Sequence, residues 1–62
     1  TMIKLSNFEL RTLINVYQDA LNELMEARDE RPYSKEDLAC LDTNISALNT
    51  RIEVLSRELN TL

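Results

Sequence analysis

The sequence predicts an all-α protein. It reads as an antiparallel helical hairpin of two long helices that pairs with a second copy as a four-helix bundle. Three observations predict this. The sole proline, Pro32, divides a 62-residue chain almost in half. Each half opens on the same helix-start signal. The second half carries an unbroken heptad of leucine and isoleucine.

The first start is Ser6-Asn7-Phe8-Glu9, a capping box with Ser6 as N-cap and Glu9 at N3. Leu5 and Leu10 fall at the N′ and N4 positions of a hydrophobic staple. Helix 1 is expected over 7–31. Its heptad places Leu10, Tyr17 and Leu24 at a, and Leu13, Ala20 and Ala27 at d. Ile14 and Leu21 are the apolar e positions beside that stripe, and Val16 and Met25 flank it.

Pro32 disfavours helix at Arg31 and donates no backbone hydrogen bond, so the turn falls at 31–33. So short a link forces neighbouring antiparallel helices. Ser34-Lys35-Glu36-Asp37 then repeats the start signal, with Tyr33 and Leu38 as the second staple. Helix 2 is expected over 35–62, with Leu38, Ile45, Ile52 and Leu59 at a and Leu41, Leu48, Leu55 and Leu62 at d. A sustained 3.5-residue period is the mark of a left-handed coiled-coil seam. Folding the hairpin about Pro32 matches Leu24 with Leu41, Tyr17 with Leu48, Leu13 with Ile52 and Leu10 with Leu55. Ala27 faces Leu38 and Ala20 faces Ile45 in that register. One domain, 1–62, accounts for the whole sequence.

A two-helix contact covers one seam, and in this register Ile14 and Leu21 stand wet beside it. Helix 2 has a second, weaker stripe at c: Cys40, Ala47 and Val54. Surplus apolar surface asks for another helix, and a homodimer is the economical source. The expected interface residues are Leu10, Leu13, Ile14, Tyr17, Leu21 and Leu24 from helix 1, with Leu41, Ile45, Leu48, Ile52 and Leu55 from helix 2. A charge at Ile45 or Leu48 is expected to unfold the dimer. Charge suggests how the copies lie. Between Asp19 and Asp42 there are eight acids and three bases, a net −5, whereas the remainder carries +1. Antiparallel hairpins set each acidic turn end beside the slightly basic open end of the other copy, an effect that salt weakens.

Composition excludes much. There is no histidine, the commonest general base and metal ligand, and no glycine for a phosphate-cradling loop. No catalytic residue, cofactor site or metal site is expected. A net charge of −4 argues against direct nucleic-acid binding. No apolar run approaches the roughly 18 residues of a membrane span. No secretory leader is visible, Met2 reads as the natural start, and a single cysteine fits a reducing, cytoplasmic setting.

Asp19, Glu23, Glu26 and Glu30 are spaced 4-3-4 and line one face of helix 1. They read either as a solvated face that keeps a small bundle soluble, or as a docking ridge for a basic partner in imitation of a phosphate backbone. Cys40 reads as a small hydrophobe at the dimer interface, since Glu36 and Asp37 oppose any activation of its thiol. Tyr17 reads as core. Phe8 and Met25, off the seam, either cover the partner hairpin or together mark a protein-binding patch.

Two resemblances follow from these residues. In plan the molecule resembles the small plasmid-copy-control RNA-binding hairpin dimers, but those use a positive face that this sequence lacks. Ser56-Arg57-Glu58-Leu59-Asn60 resembles the Ser-Gln-Glu-Leu-Asp string of small helical-hairpin phosphatases acting on sporulation response regulators. Arg57 and Asn60 depart from that string and the heptad already explains Leu59, so no activity is carried over. The sequence therefore points to a non-catalytic protein–protein interaction module, a small coiled-coil homodimer acting as adaptor or regulator. An acidic inhibitor or nucleic-acid mimic is the alternative. A piece of a longer coiled-coil protein is the third, because the heptad runs to Leu62.

Overall fold

A computed structural model describes residues 4–61. The readings of a leader and a start at Met2, and the last heptad position, Leu62, involve residues outside that range. The chain forms two helices, α1 (Asn7–Glu30) and α2 (Lys35–Asn60), packed against each other as an all-α hairpin.

Both starts follow the sequence signals. At α1 the Ser6 hydroxyl accepts a hydrogen bond from the Glu9 amide at 3.2 Å, and the Ser6 amide donates to Glu9 Oε1 at 2.9 Å. Both hydrogen bonds of the capping box are therefore made. Glu9 is held below the usual carboxylate range, first by the Ser6 backbone amide and then by the Ser6 side chain. At α2 the Ser34 hydroxyl accepts from the Asp37 amide at 3.1 Å. Asp37 is one methylene shorter than Glu9, and this cap has only the one bond.

The turn shows the effect of Pro32 directly. α1 ends at Glu30, one residue before the predicted end, because Arg31 is extended at φ −120° and ψ 143°. That is the region into which a following proline drives its neighbour. The Arg31 amide still donates to the Ala27 carbonyl at 3.1 Å and closes the last turn of α1. At the other end, Thr61 caps α2 and its hydroxyl donates to the Glu58 carbonyl at 2.9 Å.

The hairpin is one helix layer thick. Its principal extents are 42 × 21 × 17 Å and its radius of gyration is 14.1 Å, against about 10.5 Å for a compact chain of this length. Its accessible surface is 5206 Å², against about 4,100 Å² for a compact monomer of this mass. Only Leu10 and Leu21, at 2% and 5% exposure, are buried among the described residues.

The burial of Leu21 corrects the expected register of α1. Leu21 was expected to stand wet beside the seam, yet it is one of the two most protected side chains, and Ile14 is half-buried. Leu10, an a position, and Leu21, an e position, are the most protected, while the d positions Leu13, Ala20 and Ala27 are half-buried like Ile14, Tyr17 and Leu24. The physical reason is volume. The d positions include Ala20 and Ala27, whose methyl groups fill little space, which leaves room beside them for Leu21. Arg28 is the next e position, and there the row of e side chains turns polar. Its guanidinium grips Asp42 of α2 through Nε at 2.7 Å and Nη2 at 3.4 Å.

Candidate functional site

The residues expected at an interface fall along the helix–helix contact. Leu10 and Leu21 are buried; Leu13, Ile14, Tyr17, Leu24, Leu41, Ile45, Leu48, Ile52 and Leu55 are half-buried. None of the nine is closed off from solvent, because a single layer leaves one side of each side chain open. The open surface is therefore that of the hairpin's two broad flanks.

The two flanks differ. On one, the e positions of both helices meet in the Arg28–Asp42 pair. Both side chains are more than a third exposed, so the pair contributes about 0.2–1 kcal/mol at most. The opposite flank carries Val16, Ala20 and Ala27 of α1 and the c-position stripe of α2. Val16 is 57% exposed and Val54 45%. Cys40 and Ala47 are exposed as well, while Ala20 and Ala27 are half-buried. Midway along this flank lies a shallow hollow of about 370 Å³, lined by Tyr17, Asn44, Ala47, Leu48 and Arg51. Tyr17 and Leu48, matched across the hairpin on sequence grounds, share that hollow.

Cys40 is a free thiol on the surface of the hairpin, within 3.7 Å of the Asn44 side-chain amide. The sequence expectation that it is buried concerns a dimer; within one chain it is open. Phe8 is 77% exposed and Met25 48%. They do not form one patch, since 17 residues of helix separate them by about 25 Å along α1.

Asp19, Glu23, Glu26 and Glu30 are all exposed on α1, and Glu23 and Glu30 lie one and two heptads beyond Val16 on the same side of the helix. None of the four enters an ion pair among the described residues, where the pairs are Arg28–Asp42 and Arg57–Glu53. No group of three or more Cys, Asp or Glu side chains among the described residues is arranged to hold a metal ion. No helix among them is long and apolar enough to cross a membrane.

The signal that sequence reasoning passed over is Arg28 with Asp42. Both were counted as members of the acidic middle segment, yet they neutralise each other across the hairpin. Their shared e position was the available clue, because e faces e in an antiparallel pair. The chain matches no protein-family model, no curated protein and no solved structure.

Proposed function

We propose that this chain is a non-catalytic protein–protein interaction module, a small coiled-coil homodimer forming a four-helix bundle and acting as an adaptor or regulator. The observation that carries it is the unspent apolar surface of a single helix layer. Among the described residues the hairpin buries two side chains, leaves Val16 and Val54 about half exposed or more, and exposes about 1,100 Å² beyond what a compact chain of its mass would. A standard interface covers about 800 Å² on each partner, so one more helix pair removes most of that excess. Heptad spacing in α2 supports the coiled-coil description. The lone thiol, with no cysteine to pair with in the same chain, supports a reducing, cytoplasmic setting.

Sedimentation equilibrium across a concentration series tests the proposal. The expected mass is twice that of the 7.2-kDa chain. A folded monomer at all concentrations overturns it.

The acidic ridge supports a second reading, in which the outer face of α1 docks on a basic partner. Four unpaired carboxylates on one helix face favour it, since like charges at those spacings cost helix stability. For any basic partner that binds, affinity should fall steeply with salt and collapse in Glu23→Lys/Glu26→Lys. An unchanged affinity in that variant removes the ridge from consideration.

A further inference from the structure

We infer that the flank bearing Val16, Ala20, Ala47 and Val54 receives a second copy of this chain, stacked antiparallel about a two-fold axis that passes beside Ala47. The inference rests on the homodimer reading and adds to it a face and a register.

The face follows from the asymmetry of the hairpin. The flank with Arg28 and Asp42 is closed by a charged pair, while the opposite flank holds the central hollow between the exposed Val16 and Val54, and its α1 carboxylates Glu23 and Glu30 lie toward the turn. An alanine at the middle of that flank lets two helices approach to the short end of the usual 8–10 Å spacing. Covering the flank also buries the free sides of Tyr17 and Leu48.

Direction follows from charge. The turn half, from Asp19 to Asp42, carries −5 and the remainder +1. Parallel stacking sets the two −5 halves side by side; antiparallel stacking sets each against a +1 half.

Register follows from two independent considerations that agree. Complete overlap of two antiparallel hairpins places the axis at the midpoint of α2, Lys35–Asn60, which falls between Ala47 and Leu48. The exposed stripe Cys40, Ala47, Val54 is itself centred on Ala47. An axis there sets Ala47 against Ala47 of the second copy and Cys40 against Val54, a small side chain opposite a larger one at each outer level. On α1, whose midpoint falls beside Gln18, the same axis sets Val16 against Ala20. Cys40 then lies about 21 Å along the axis from its own counterpart, a distance no disulfide spans.

Cysteine cross-linking tests the register, with copper–phenanthroline and air as oxidant and non-reducing electrophoresis as readout. Cys40→Ser/Ala47→Cys should convert almost wholly to a covalent dimer. Val54→Cys, which keeps Cys40, should do likewise, through bridges between Cys40 of one copy and the thiol introduced at position 54 of the other. The native chain should cross-link at least tenfold more slowly. Val16→Asp, at an exposed position, should leave helicity intact and raise the dimer dissociation constant at least tenfold. Rapid cross-linking of native Cys40, with Cys40→Ser/Ala47→Cys inert and Val54→Cys no faster than the native chain, overturns the register. If the sedimentation mass is still that of a dimer, the homodimer reading survives that result. A monomeric mass overturns both.

Discussion

α2 has the stricter pattern and α1 the tighter packing. Every described a and d position of α2 is a leucine or isoleucine, yet all are half-buried and none is fully buried. α1 mixes alanine and tyrosine into its stripe and holds both buried side chains, Leu10 and Leu21. A regular heptad fixes which line of a helix turns toward its neighbour. It does not fix how deeply each side chain is covered, because depth depends on neighbours to both sides. Leu21, at 5% exposure, is covered on both sides. Leu48 has open solvent on one side, at the hollow it shares with Tyr17.

Truncating these two leucines gives the largest expected effect and breaks the comparison if it is wrong. Leu21→Ala removes a side chain at 5% exposure and should cost about 2–5 kcal/mol. Leu48→Ala removes a half-buried one and should cost about half as much in the isolated hairpin. Urea unfolding at two protein concentrations measures both. If a second copy covers the hollow, the cost of Leu48→Ala rises toward that of Leu21→Ala as the concentration passes the dimer dissociation constant. Equal costs at every concentration would mean that α1 and α2 do not differ in depth.

The contrast also shows what was legible in the sequence. Helix starts were, because Ser6 with Glu9 and Ser34 with Asp37 act within four residues of chain, and so was the turn, because Pro32 constrains Arg31 locally. The line of contact on α1 was not legible from spacing alone. Heptad spacing puts the seam at a and d, whereas Leu21, an e position, outweighs its neighbours Ala20 and Ala27 in volume and is the one buried. Weighting the heptad by side-chain size, and noting a charged pair at e on both helices, points to a buried Leu21. The flank with the hollow was partly legible: Cys40, Ala47 and Val54 stand out as a stripe, but that Val16 and Ala20 lie on the same side depends on how the two helices pair.

The two N-caps sharpen the comparison at smaller scale. Ser6→Ala removes a cap bonded in both directions, and Ser34→Ala one bonded in a single direction. Loss of an N-cap costs about 0.5–2 kcal/mol, and Ser6→Ala should fall in the upper part of that range with Ser34→Ala below it. Urea midpoints compared with wild type check the order. A larger loss at Ser34 would show that the reciprocal bond from Glu9 adds nothing.

The smallest effect expected is the pH dependence of that reciprocal bond. Glu9 accepts from the Ser6 amide and from nothing comparable in the unfolded chain, so folding lowers its pKa. A lowered folded pKa means that the unfolded chain binds the proton more readily. The stabilisation is therefore complete above the unfolded value and is lost as the pH falls through the folded one. Glu9→Gln keeps an oxygen in reach of the Ser6 amide but carries no titrating charge. Its stability should lose less than that of the wild type between neutral and acidic pH. Thermal melts of the two proteins across that range measure the difference. If Glu9→Gln follows the wild-type acid limb, the charge on Glu9 contributes nothing to the cap, and the advantage of α1 over α2 at its start lies in the second hydrogen bond alone.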